Sequence, residues 1–125
     1  SGGSIVIFGD GSQTRDFVYI SDVVEALLRA GHATAINRSI LNIGSGIEVS
    51  ITKLAETIKQ VTGKWADCLY NDEEEGGASR LVADVSLSRE NLGYQPKTTL
   101  AEGLRLTIVH DPRFSAARPP SLQIF

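Results

Sequence analysis

The chain has 125 residues, 42% of them hydrophobic, which is enough to build one core without disulfide or metal staples. Charged residues make up 22% and the net charge is −3 with no Lys/Arg block, so a nucleic-acid partner, which calls for a basic stripe, is not expected. Nothing approaches the roughly 18 apolar residues of a membrane span, no signal peptide opens the chain, and the single cysteine, Cys68, cannot form an internal disulfide, all of which points to the cytoplasm.

The chain opens Ser1-Gly2-Gly3-Ser4 and runs at once into Ile5-Val6-Ile7-Phe8, with no methionine anywhere, and so reads as a piece cut from a longer protein. Ile5 to Phe8 is a short apolar strand bounded by the turn Gly9-Asp10-Gly11-Ser12. Alternation puts Val6 and Phe8 on one face and Ile5 and Ile7 on the other, without saying which face is core. A second extended stretch runs from Arg15 to Ile20. A helix follows from Ser21-Asp22, where Asp22 and Glu25 have capping-box spacing, and Gly31 is its expected stop.

Ile40 to Ile43 has the composition of a buried strand and closes on Gly44-Ser45-Gly46. Ser50 caps the clearest helix, whose Ile51, Leu54, Ala55, Ile58 and Val61 line one face before Gly63 ends it. A strand near Asp67 to Asn71 and the acidic loop Asp72 to Gly77 come next. Leu81 to Val85 is expected to be extended, with Ser86 capping a short helix to Leu92. Thr99 and Glu102 then open a helix carrying Leu100, Leu104 and Ile108, which ends before Pro112. Strands alternating with amphipathic helices make the class α/β, with α+β still open. One lobe is expected over residues 1–112 and an extended tail over 113–125.

Several chemistries find no support. His32, His110 and Cys68 lack metal-ligand spacing, and neither a P-loop nor a Gly-x-Ser-x-Gly elbow occurs. The run Asp72-Glu73-Glu74-Glu75 reads as a solvated loop rather than a cation site. Gly44-Ser45-Gly46, between a strand and a helix, imitates a dinucleotide fingerprint. Val49, however, stands where the third glycine belongs, and the helix starts too late to point at a pyrophosphate.

The stretch from Ile7 to Val23, with Gly9-Asp10-Gly11-Ser12-Gln13-Thr14-Arg15-Asp16-Phe17 at its centre, resembles a signature of the extended short-chain dehydrogenase/reductase family. That group includes UDP-glucose 4-epimerases, dTDP-glucose 4,6-dehydratases and UDP-glucuronate decarboxylases. Leu41-Asn42-Ile43-Gly44-Ser45-Gly46, Ala83-Asp84-Val85-Ser86, Leu92-Gly93-Tyr94-Gln95-Pro96 and Leu100-Ala101-Glu102-Gly103-Leu104 are similar to later family segments, so the resemblance extends from about Ile5 to Asp111.

The resemblance implies a substrate-binding lobe that grips a UDP- or dTDP-linked nucleotide diphosphate sugar. Arg15 would reach the diphosphate, a task that suits a planar, permanently charged guanidinium. The alternative for Arg15 is a salt bridge to an acid such as Asp16. Val6 and Phe8 match positions that line the base pocket, the alternative for Phe8 being the core, and Gln13 is a weaker candidate for a ribose or sugar contact. The family's second diphosphate arginine falls on Glu74, which would repel a diphosphate. Arg80 either replaces it or is an exposed strand residue.

The resemblance further implies an NAD-dependent parent whose tyrosine base belongs to a Tyr-x-x-x-Lys motif. Here Tyr19, Tyr70 and Tyr94 are followed four residues on by Val23, Glu74 and Thr98, and no complete Gly-x-x-Gly-x-x-Gly is present. No cofactor is therefore expected in this piece. NAD and the base would lie in an amino-terminal Rossmann half, and catalysis would need both. A free-standing, non-catalytic nucleotide-sugar-binding or interaction module is the other reading. Whether the parent is a homo-oligomer stays open.

Overall fold

The computed structural model describes residues 3–34, 36–73 and 77–114. Their order is β1 (Ser4–Phe8), β2 (Thr14–Arg15), α1 (Ile20–His32), β3 (Val49–Ser50), α2 (Ile51–Thr62), β4 (Asp67–Asn71), β5 (Arg80–Leu81), α3 (Ser86–Leu92) and α4 (Leu100–His110). β1 and β4 pair in parallel, Val6 opposite Leu69 and Ile7 opposite Tyr70. β2 lies between β3, antiparallel to it, and β5, parallel to it. The α/β class is thus observed, in two small sheets rather than one.

Local chemistry accounts for most of the boundaries. Ser50 accepts the Lys53 amide at the start of α2, and Thr99 accepts that of Glu102 at the start of α4. Gly63 and Gly93 end α2 and α3 in the left-handed conformation. Gly11 has φ +76, and a Cβ there would press on Thr52 Oγ1, so the turn after β1 can close over α2 only with glycine.

Five expectations need correction. Helix α1 starts at Ile20 with Tyr19 as N-cap and no side-chain cap, because the Asp22 carboxylate is buried and accepts the amides of Lys97 and Thr98 instead. The helix also passes through Gly31 to His32, whose imidazole N–H donates to the Leu28 carbonyl, and it ends on Ala33. Ser86 does not cap α3. Val85 is the N-cap, and Asp84 accepts the Ser86 amide.

The run Ile40 to Ile43 forms no strand. Side chains take up carbonyls in and just after the run in place of a ladder: Ser88 Oγ lies 2.8 Å from the Asn42 oxygen, and Tyr94 donates to Gly44 O at 2.8 Å. Pairing is also shorter than expected in the two remaining extended stretches, covering only Thr14–Arg15 and Arg80–Leu81.

The core joins Ala26 of α1, Val85, Leu92 of α3 and Tyr94, with Leu41, Ile43 and Ala83 packed against it. The expected tail 113–125 lies, from residue 115 on, outside the described residues.

Candidate substrate-binding site

Strand β1 presents two different faces. Ile7 is 2% exposed and turns toward Gly11 and α2, whereas Val6 at 53% and Phe8 at 46% look outward, beside the exposed Leu69 of β4. In this chain Phe8 therefore stands at the surface, outside the core around Tyr94. The Gln13 amide donates to the Phe8 carbonyl at 2.7 Å, which folds the turn back against the end of β1. Asp10 accepts both the amide and the hydroxyl of Ser12 within that turn.

Arg15 follows on β2. Its Nη1 donates to the carbonyls of Thr14 and Ala78, both at 2.7 Å, so the guanidinium lies along the glycine loop that precedes β5. Arg80 takes a different direction. It pairs with Thr14 across the β2–β5 register, while Arg15 pairs with Leu81, and period-two alternation sends the two arginines to opposite faces. Arg80 donates to Glu48 at 3.0 Å, and Glu48 also accepts from Thr14. The Thr14 bond, then the Arg80 bond, hold the Glu48 carboxyl below its ordinary range. Glu74, where the family's second arginine would stand, lies outside the described residues.

The acid beside Arg15 does something its sequence context did not reveal. Asp16 Oδ1 accepts from the Ser45 amide at 2.7 Å and the Ser45 hydroxyl at 2.5 Å, and Oδ2 accepts from the amides of Gly46 at 2.9 Å and Ala83 at 3.3 Å. Burial pushes this carboxyl up, but the Ser45 hydroxyl and then the three amides outweigh it and hold the pKa below its usual value. These donors come from segments 29 to 67 residues away, which is why no local signal could have found them.

The same bonds settle what the Gly44-Ser45-Gly46 turn is for. Its amides, the groups that would cradle a phosphate, already serve Asp16. A Cβ on residue 44 would stand 2.5 Å from Asp16 Oδ2 and 2.6 Å from Ala83 Cβ. Glycine is needed there for protein packing.

An apolar groove of about 320 Å³ lies apart from these residues, between α2, α4 and Phe17 to Tyr19. It has no charged lining residue, so it offers nothing to a diphosphate. Among the described residues, no group of three or more ligating side chains could hold a metal, and no helix is long and apolar enough to cross a membrane.

The family model for the NAD dependent epimerase/dehydratase family matches residues 1–44. The UDP-glucose 4-epimerase of Mycolicibacterium smegmatis is 38% identical over 86% of this chain and 34% of its own length. A UDP-glucose 4-epimerase from Thermotoga maritima, solved with UDP-glucose, superposes with a TM-score of 0.78 at 34% identity, over 88% of this chain and 35% of that one. A UDP-glucuronic acid 4-epimerase from Bacillus cereus, solved with UDP-glucuronic acid and NAD, gives a TM-score of 0.71 at 33% identity, over 81% of this chain and 32% of that one. The chain thus spans about a third of the length of the relatives it matches.

Proposed function

We propose that this chain, a relative of the NAD-dependent epimerase/dehydratase family, is the substrate-binding part of a nucleotide-sugar epimerase or dehydratase. In this reading it grips the nucleotide diphosphate while a Rossmann half elsewhere in the longer polypeptide carries NAD and the tyrosine base. The observation that carries the reading is the outward face of β1. An aromatic and an aliphatic side chain, Phe8 and Val6, stand exposed on a rigid strand whose end is tied to Gln13, with Arg15 two residues further on. A nucleotide diphosphate asks for an apolar surface for its base and a guanidinium for its phosphates, and this segment of the chain carries both.

In this reading the Arg15 guanidinium donates to the diphosphate, a charge-assisted contact. Gripping the nucleotide holds the sugar in place against the nicotinamide and the base, and such positioning lowers a barrier by several kcal/mol. The chain's own contribution to the chemistry is therefore orientation.

Arg15→Ala tests this in the full-length protein. Losing a charge-assisted contact of roughly 1.5–3 kcal/mol raises the Kd for UDP or dTDP about tenfold to a hundredfold. Arg15→Lys recovers only part of it, since an ammonium cannot form the two-pronged contact. Arg80→Ala, on the opposite face, leaves the Kd little changed. An Arg15→Ala variant that binds both nucleotides as tightly as the parent overturns the assignment.

A further inference from the structure

Arg15 stands on a strand that its own ladder barely holds. β2 has two residues, Thr14 and Arg15, paired with Ser50 and Val49 on one side and with Arg80 and Leu81 on the other. A ladder that short is marginal by itself. A guanidinium that is to meet a diphosphate has to be held to within a fraction of an ångström. The stiffness comes from two carboxylates.

The Asp16 amide donates to the Leu81 carbonyl at 2.9 Å, which carries the extended backbone one residue past the ladder. Period-two alternation then puts Thr14 and Asp16 on one face of β2 and Arg15 on the other. Glu48 ties the first of the two. It accepts from the Thr14 hydroxyl at 2.7 Å and from Arg80 at 3.0 Å, joining β2 to β5 and to the residue before β3. Asp16 makes the larger tie. The amide and hydroxyl of Ser45 and the amide of Gly46 fix it to the segment that leads into β3, and the Ala83 amide fixes it to the segment that leaves β5. Both neighbours of β2 are thus gathered on the residue next to Arg15. The bonds that gather them are charge-assisted, each about twice as strong as a neutral ladder bond.

We infer that Asp16 is a positioning residue: it draws residues 45–46 and 83 onto the end of β2 from one face, so that Arg15 is held toward a nucleotide diphosphate on the other. Asp16 touches no ligand itself. A carboxylate repels phosphates, and its two oxygens already accept four bonds. The inference rests on the reading of Arg15 as the diphosphate contact, and it goes further in assigning the residue through which that contact is held.

A double-mutant cycle in the full-length protein tests it, read as the Kd for UDP and for dTDP by calorimetry. Asp16→Asn cannot accept from all four donors and raises the Kd about tenfold, because a displaced guanidinium loses most of its contact. In the Arg15→Ala background the same substitution changes the Kd less than about twofold, since the group it positions is gone. Asp22→Asn is the control. That carboxylate is also buried and bonded to two amides, those of Lys97 and Thr98, so its loss lowers the melting temperature but leaves the Kd unchanged. An Asp16→Asn effect of equal size with and without Arg15 overturns the inference and leaves Asp16 a structural residue only. So does an Asp16→Asn variant that binds both nucleotides as tightly as the parent.

If Asp16→Asn does not fold, Ser45→Ala decides, because it removes the hydroxyl bond and leaves the acid and its three amides in place. It raises the Kd about threefold when Arg15 is present and not when Arg15 is absent; equal effects in the two backgrounds overturn the inference. Arg15→Ala alone keeps the two readings apart. If it leaves the Kd unchanged, the diphosphate assignment falls and the positioning role falls with it. If it weakens binding while Asp16→Asn does not, the positioning role falls alone.

Discussion

Tyr94 closes the core with one hydroxyl. It is 1% exposed, and its O–H donates to the Gly44 carbonyl at 2.8 Å, satisfying an oxygen that has no ladder partner. Burial first, then the carboxylates of Asp22, Asp16 and Glu25, push the phenol's pKa above its ordinary 10. The folded state therefore prefers the neutral phenol, and this stabilisation is complete below pH 10 and lost as pH rises through the raised value. Tyr94→Phe keeps the ring but strands the Gly44 oxygen in an apolar site, which costs about 1–3 kcal/mol. Urea unfolding at neutral pH measures it, and a midpoint unchanged from the parent would show that the carbonyl finds another donor. In the sequence Tyr94 stands only as a tyrosine without the lysine that a catalytic base would need. Its structural partner lies 50 residues away, beyond any local pattern. By contrast, the separation of Val6 and Phe8 from Ile5 and Ile7 was legible, because alternation along a strand is a local rule.

At the scale of elements, α2 and α4 were readable because a capping side chain, an apolar stripe and a stop signal all agree within a dozen residues. Helix α1 departs from its sequence signals at both ends: the amides of Lys97 and Thr98 take the Asp22 carboxylate, and at the other end the helix runs on through Gly31 to His32. Two glycines test what overrides what. Gly31 is helical and nothing lies within 4 Å of a Cβ placed there, so Gly31→Ala should stabilise the fold by about 0.5–1 kcal/mol through helix propensity. Gly44 is packed against Asp16 and Ala83, so Gly44→Ala should destabilise by about 1–3 kcal/mol or more through overpacking. Thermal unfolding of both variants gives the signs. A destabilising Gly31→Ala would mean that the helix ends where the sequence alone places its stop.

Across the whole molecule, the sequence exposed the α/β class and the strand-turn that carries Arg15, but not the division into two sheets. Two-residue ladders such as Thr14–Arg15 leave no periodic trace, and the pairing of β2 with β3 and β5 depends on loops that meet only in the folded chain. Asp16 is the tie among those loops, which makes acid the sharpest probe of the assembly. Its folded pKa is depressed below 3.8, so its stabilising effect is present above that value and disappears as pH falls through the folded one. Glu25 and Glu48 are depressed as well, each held chiefly by hydrogen bonds, so the parent should lose stability steeply on acidification. Asp16→Asn removes one contributor. An asparagine carries no charge and has only one accepting oxygen, so it cannot serve Ser45, Gly46 and Ala83 together. The variant should be clearly less stable than the parent at pH 7, and the gap should narrow as the pH falls through the depressed pKa of the parent's Asp16. Urea midpoints of the two proteins measured between pH 7 and pH 3 give the difference curve. A gap that stays constant across that range would mean that Asp16 acts through its shape, and that the charge drawing the 44–46 turn and residue 83 onto β2 adds nothing.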